Sequence, residues 1–199
     1  MIIHDMEQGT EEWFAVRLGI PTASKFADIY TSTGKASSSQ GKYLHSLTAE
    51  WMMGKKIETY QNDAMNWGNE KEPEARTYYE LEWGNDVEQT GFITTDDGMI
   101  GGSPDGLTEA GGLEIKCPTP HVHVEYLLAG KCPSKYVPQV QGLMFLTGKP
   151  HWDFVSYHPD MAKQLIVRVE RSEEWIEGFT AEIQKFNTKL LSMRERLAA

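Results

Sequence analysis

The chain has 199 residues, 40% of them hydrophobic and 24% charged, a composition ordinary for a globular protein and a length suited to one domain or at most two small ones. Its 29 acidic against 19 basic side chains give a formal charge of −10, which argues against a simple basic nucleic-acid binder. No apolar run approaches the roughly 18 residues of a membrane span, and Met1-Ile2-Ile3-His4-Asp5 lacks the layout of a signal peptide, so a cytoplasmic location is expected.

Thr10 precedes a short apolar-periodic stretch through Trp13, Phe14 and Leu18, and Thr22, after Pro21, is placed to cap a segment containing Phe26 and Ile29. Beyond a Ser/Gly/Lys loop, Tyr43, Leu44, Leu47 and Trp51 recur at helical spacing. From about Ala64 to Leu81 another apolar face is predicted on a helix, with Glu72 and Arg76 four residues apart; Pro73 predicts either two helical pieces or one bent helix. Short β-like runs follow at 87–95, 99–102 and 113–117, separated by Asp97-Gly98, Asp105-Gly106 and Gly111-Gly112, and read as a meander. Helices are predicted at 123–128 and 137–146, strands at 154–157 and 165–169, and Trp175, Phe179, Ile183 and Phe186 define a closing amphipathic helix. The order predicts a mixed α/β or α+β fold in one domain, residues 1–199. Cys117 and Cys132 each stand alone and read as reduced thiols.

The charge is unevenly spread: residues 61–130 hold 14 acidic and 3 basic side chains, which either solvate a helix face or assemble a cation site. Gly102-Ser103-Pro104-Asp105-Gly106-Leu107 and Leu113-Glu114-Ile115-Lys116-Cys117 bear on that choice. Strand alternation puts Glu114 and Lys116 on one face and Ile115 on the other, with Asp105 at the end of a neighbouring strand. Two carboxylates and a backbone carbonyl are hard ligands suited to Mg²⁺ or Mn²⁺, and a lysine beside them can act on a water or on phosphate charge. A hairpin with an ordinary exposed Glu-x-Lys face is the bland alternative.

Pro104-Asp105 with Glu114-Ile115-Lys116 resembles the PD-(D/E)xK nuclease signature, and the flanking residues resemble the lambda-type phage exonucleases, the YqaJ-like viral recombinases. Glu7-Gln8-Gly9, Trp13, Arg17-Leu18-Gly19-Ile20 and Thr22-Ala23-Ser24 resemble that family's N-terminal motif. Trp67-Gly68, Glu72 and Ala75-Arg76 resemble its helical motif, and Tyr136 with Gln139-Val140-Gln141 its late motif. The blocks span about 7–145, with a weaker echo at Tyr157-His158-Pro159 and Met161.

The resemblance implies a restriction-endonuclease-like core, a mixed central sheet flanked by helices. It implies that Asp105, Glu114, the Ile115 carbonyl and Glu72 hold metal, most simply two Mg²⁺ ions with Mn²⁺ as a substitute, and that Lys116 serves the attacking water. Gln139 would orient water or a scissile-strand phosphate, or else satisfy backbone groups in the core. Arg17, Ser24 and Thr22 would hold a 5′-terminal phosphate, an assignment the bidentate guanidinium supports, while plain N-capping is the alternative for both hydroxyls. The activity implied is 5′→3′ digestion of one strand of linear double-stranded DNA to 5′-mononucleotides, leaving 3′ single-stranded tails. The partners implied are two further copies in a homotrimeric ring and a phage single-strand annealing protein in a bacterial host.

The chain departs from the family at Thr119-Pro120-His121-Val122-His123, where a basic residue is usual; the two histidines read as solvated or near phosphate. The 31–42 loop also differs, with Lys35 and Lys42 as candidate phosphate contacts. Trp13, Trp67 and Trp83 read as core or interface packing, and Cys117 as a buried inert thiol. The competing functions are another PD-(D/E)xK nuclease, either an endonuclease or a RecB-like module, and a catalytically silent DNA-end-binding protein.

Overall fold

A computed structural model describes residues 1–57 and 63–199. Strand β1 (Ile2–His4) precedes helix α1 (Glu11–Val16), which is capped at its predicted start: the Thr10 hydroxyl accepts the Trp13 N–H at 3.3 Å. A 3₁₀ turn over Ala23–Asp28 leads to α2 (Gln40–Met53). Helix α3 (Asp63–Trp83) passes through Pro73 as a single helix rather than two pieces. Its Ala75 and Tyr79 are buried against Leu113, Ile115 and Val155, and that burial outweighs the hydrogen bond a proline removes, about 3 kcal/mol in an unsupported helix.

Strands β2 (Phe92–Thr94), β3 (Gly101–Gly102), β4 (Gly106–Leu107) and β5 (Gly112–Lys116) come next. Helix α4 (Pro120–Ala129), a 3₁₀ turn at Ser134–Tyr136 and α5 (Val137–Thr147) then connect to β6 (His151–Ser156), β7 (Leu165–Glu170) and α6 (Glu173–Ala198). The fold is mixed α/β, as the element order predicts. Ser172 caps α6 by accepting the Trp175 N–H at 3.3 Å, and Trp175, Phe179, Ile183 and Phe186 are all buried.

The predicted meander over 87–117 is incorrect. The strands divide between two sheets, β1-β2-β3 and β4-β5-β6-β7. Pro104 has no N–H to continue a ladder, and the chain leaves the first sheet at Ser103-Pro104-Asp105. Asp105-Gly106 is therefore the passage between sheets rather than a hairpin turn. The Gly111-Gly112 turn does form: the Thr108 N–H donates to the Gly111 carbonyl at 3.0 Å, and the backbone of Gly112 lies against the Trp152 ring, where a Cβ would collide. The longer connection through α4 and α5 lets β6 return parallel to β5, Glu114 opposite Phe154.

The larger core joins Phe26, Leu47, Leu143, Trp152, Phe179 and Phe186, which ties the 3₁₀ turn, α2, α5 and α6 to β6. The smaller one seats α3 on β5 and β6. Arg168 of β7 pairs with the buried Asp153 of β6 at 2.9 and 3.0 Å, and the Tyr79 hydroxyl donates to the same carboxylate at 2.7 Å, pinning α3 to the strands. Trp83, expected in core or interface packing, is not in the core: it is 42% exposed at the end of α3 and stacks on Tyr79. A large ring at a helix terminus can cover a neighbour without being enclosed.

Candidate active site

Strand β4 pairs with only the first two residues of β5, Gly106 opposite Leu113 and Leu107 opposite Gly112. Past Leu113 that edge of β5 is open, and Asp105 fills it: its Oδ2 accepts the Ile115 N–H at 2.6 Å. On the other edge the Lys116 carbonyl accepts the Tyr157 N–H at 2.9 Å. The N–H and C=O of one strand residue point to the same side, so the Ile115 carbonyl also faces the open edge and Asp105.

Alternation sends Leu113, Ile115 and Cys117 into the layer shared with α3, and Glu114 and Lys116 to the opposite face. Glu114 is fully buried. The Lys116 ammonium is paired with its Oε1, and Gln139 of α5 donates from Nε2 to its Oε2 at 2.7 Å. Lys116 also lies 5.4 Å from the centre of the Tyr136 ring. From α3, Arg76 donates to Glu72 Oε1 at 2.6 Å through Nη2 and to the Asp105 carbonyl at 3.0 Å through Nε, so one guanidinium joins the helix to the segment ahead of β4.

Burial pushes the Glu114 carboxyl up to about 8; Lys116 opposes the rise, and Asp105 and Glu72 add to it. Glu72 is pushed up to about 7 by burial and by Asp105, with Arg76 and Lys116 opposing. Asp105 is raised by burial against Lys116, the Ile115 N–H and Arg76. Burial would lower the Lys116 ammonium, but Glu114 and Asp105 hold it above the ordinary lysine value. Three carboxylates sharing a desolvated site are thus each harder to ionise, which is the condition a divalent cation relieves. Asp105, Glu114, Glu72 and the Ile115 carbonyl supply a hard-oxygen donor set of the kind Mg²⁺ or Mn²⁺ takes. Among the described residues no three His, Cys, Asp or Glu side chains stand together as a metal cluster, and Lys116 and Arg76 lie on carboxylate oxygens of Glu114 and Glu72.

A second cluster lies at the N-terminal end. Arg17, just past α1, stacks 3.6 Å from the centre of the Trp13 ring. The Trp13 indole N–H donates to Ser103 Oγ at 2.9 Å and to the Gly91 carbonyl at 3.1 Å, and Gln8 donates to the Pro104 carbonyl at 3.2 Å. The platform under Arg17 is therefore fastened to the two residues that precede Asp105. Burial lowers the Arg17 guanidinium to about 10, with Tyr43 and Glu50 opposing, and among the described residues no carboxylate forms an ion pair with it. Lys56 stands close enough that burial and then Arg17 lower it too. Lys56 itself is exposed, and a desolvated guanidinium with a second cation near it suits an anion.

Thr22 takes the N-cap position of the 3₁₀ turn without a capping bond from its side chain; its hydroxyl lies 3.5 Å from that of Ser24, and its N–H donates to the Tyr43 hydroxyl at 3.1 Å. Ser24 is exposed, as are Lys35 and Lys42.

The expectation for the two histidines holds only for His121, which is exposed. His123 is fully buried, Nδ1 at 2.8 Å from Ser156 Oγ and Nε2 at 3.0 Å from the Lys163 carbonyl. The carbonyl can only accept, so Nε2 carries a proton and the ring is held from both nitrogens. Helical phase turns position 123 of α4 onto the sheet. Cys117 is buried and its thiol is pushed up to about 12, chiefly by burial. Arg76, Ser103 and the ring of Tyr136 are contributions that the sequence left without roles; the available signals were the four-residue spacing of Glu72 and Arg76 and the place of all three residues in the motif blocks.

The profile of the YqaJ-like viral recombinase domain matches residues 12–150. No curated protein matches the chain. Among solved structures, an alkaline exonuclease from Laribacter hongkongensis is 36% identical, with a TM-score of 0.87 over 95% of this chain and 96% of that one. The same exonuclease in complex with dAMP gives 37% identity and a TM-score of 0.84 over 94% and 96% of the two chains. A phage-related exonuclease from Haemophilus somnus 129PT shares the fold, with a TM-score of 0.64 at 16% identity over 87% and 96%.

Proposed function

Because the chain belongs to the YqaJ-like viral recombinase family, with the PD-(D/E)xK fold of phage exonucleases, we propose that it is a divalent-cation-dependent 5′→3′ exonuclease acting on linear double-stranded DNA. The observation that carries this reading is the meeting of Asp105, Glu114, the Ile115 carbonyl and Lys116 where β4 leaves the edge of β5. Asp105, Glu114, Ile115 and Glu72 would hold Mg²⁺ or Mn²⁺, most simply as two ions. When bound, such ions activate the attacking water and stabilise the leaving oxygen of an in-line phosphodiester displacement.

The chain's own residues do the rest. Lys116 holds its proton and presents an ammonium to the water and to phosphate charge that grows during attack. Gln139 keeps Glu114 oriented, and Arg76 keeps Glu72 in line with the segment carrying Asp105. Arg17, with Ser24 and Thr22, receives the 5′-terminal phosphate, and Trp13 relates that pocket to Asp105 through Ser103. Seating the end here sets polarity, and each turnover releases a 5′-mononucleotide. The dAMP bound to the Laribacter exonuclease is in keeping with such a product.

In this reading one nuclease domain acts within a homotrimeric ring, and the 3′ tails pass to a phage annealing protein in the bacterial cytoplasm. No helix among the described residues is long and apolar enough to cross a membrane.

A 5′-phosphorylated linear duplex labelled at either end, with a circular duplex alongside and Mg²⁺ or EDTA present, tests the proposal. Mononucleotides released from the 5′ end of the linear substrate, only with Mg²⁺, are expected. Cleavage of the circle would favour an endonuclease, and inertness with every metal would favour a silent end-binding protein.

A further inference from the structure

The short turn between Arg17 and Thr22 carries the proposed end-binding residues, so its position decides where a terminal phosphate sits. Gly19 lies in the middle of it with φ +71, a left-handed conformation that favours glycine. A Cβ there would stand 2.9 Å from Arg194 Nη2, 3.2 Å from Trp51 Cβ and 3.3 Å from the Leu47 carbonyl. The turn is therefore seated directly on α2 and α6.

Arg194, in the last turns of α6, donates from Nη2 to the Gly19 carbonyl and lies 5.6 Å from the centre of the Trp51 ring. Its Nε is buried and has no partner among the described residues, and burial lowers the guanidinium. Leaving a donor unsatisfied in a desolvated site is unfavourable, so this arginine is poorly explained as a stability device alone. It also lies outside the stretch 12–150 that matches the family profile.

We propose that Arg194 is a positioning residue for recognition of the 5′ end: the C-terminal helix reaches back and fixes the Gly19 turn, and through it the direction of the Arg17 guanidinium. The inference rests on the reading of Arg17 as the phosphate-binding residue. Arg194 touches neither DNA nor metal in this account. It acts by holding the main chain two residues beyond Arg17, where a small displacement costs a bidentate contact its geometry.

The test compares initial rates on 5′-phosphorylated and 5′-hydroxyl linear duplexes for the wild type, Arg194→Met, Arg194→Lys and Leu190→Ala. Leu190 is fully buried one turn earlier in the same helix and contributes none of the three atoms nearest a Cβ at Gly19, so its truncation loosens α6 while the Arg194 clamp itself is kept. For Arg194→Met the KM on the phosphorylated end should rise about tenfold with kcat held, a loss the size of one charge-assisted hydrogen bond, while the hydroxyl end is unaffected. Arg194→Lys, which keeps a donor, should recover part of the preference. Leu190→Ala should lower the thermal midpoint and leave the preference intact.

A wild type that prefers phosphorylated ends while Arg194→Met keeps that preference overturns this inference and leaves the Arg17 reading standing. Equal loss of preference in Leu190→Ala also overturns it, because the effect would then belong to helix stability. A wild type indifferent to the 5′ phosphate overturns the Arg17 reading, and this inference with it.

Discussion

Trp13 offers the sharpest dissection of the proposed coupling between end recognition and chemistry, because its ring and its N–H serve different partners. Trp13→Phe keeps an aromatic face under Arg17, 3.6 Å from the ring centre in the native chain, and deletes the donor to Ser103 Oγ at 2.9 Å and the Gly91 carbonyl at 3.1 Å. Trp13→Ala deletes both. A shared indole hydrogen bond of this kind contributes about 1 kcal/mol, and a desolvated cation–π contact about 2 kcal/mol.

Trp13→Phe should therefore lower kcat about fivefold, because Ser103 lies two residues before Asp105, with little change in KM for a 5′-phosphorylated end. Trp13→Ala should add a KM increase of about thirtyfold on that end and leave the KM for a 5′-hydroxyl end unchanged. Steady-state rates on the two substrates, with circular dichroism to confirm folding, make the comparison. Identical kcat and KM in the two variants would refute the division between platform and tether.

Three further outcomes are expected. Gln139→Leu leaves Glu114 Oε2 without its donor at 2.7 Å, so the Mg²⁺ concentration for half-maximal activity should rise about tenfold; an unaltered titration would remove that bond from metal binding. Asp153→Ala strips the partner from both Arg168 and the Tyr79 hydroxyl at once, and urea unfolding should report a loss of about 3 kcal/mol; less than 1 kcal/mol would mean the cluster is not a structural pin. Glu114, pushed up to about 8 from an ordinary 4.5, keeps a proton in the folded chain that the unfolded chain has released. The folded state then holds more protons between those values, so the stability of EDTA-treated protein should fall as pH rises through that window. Melting curves at pH 5.5 and 8.5 check this; Glu114→Gln should flatten the fall, and a pH-independent wild type would refute the assigned direction.

The local features were legible because they repeat at short range. Apolar residues at helical spacing marked α2, α5 and α6; alternation over 113–117 correctly put Glu114 and Lys116 on one face and Ile115 on the other. The pattern around Asp105 and Glu114, with the blocks at 7–24, 67–76 and 136–141, was enough to point to the family, since a constellation of residue types at fixed spacing is written in the chain itself.

Partner choice was not legible. Whether β5 continues a meander or lies beside β6 depends on main-chain groups that every residue carries, so side-chain pattern is silent about it, and only the packed sheet opened the edge that Asp105 fills. The depth at which a side chain ends was equally hidden: His123 and His121 differ by helical phase against a sheet more than 30 residues away. The same holds for Arg76 on the Asp105 carbonyl, Trp13 on Ser103 and Arg194 on Gly19, contacts that bridge 29, 90 and 175 positions. Sequence determined which groups are available for the chemistry; tertiary structure decided which of them meet, because hydrogen bonds and burial act over a few ångströms of space whatever the separation along the chain.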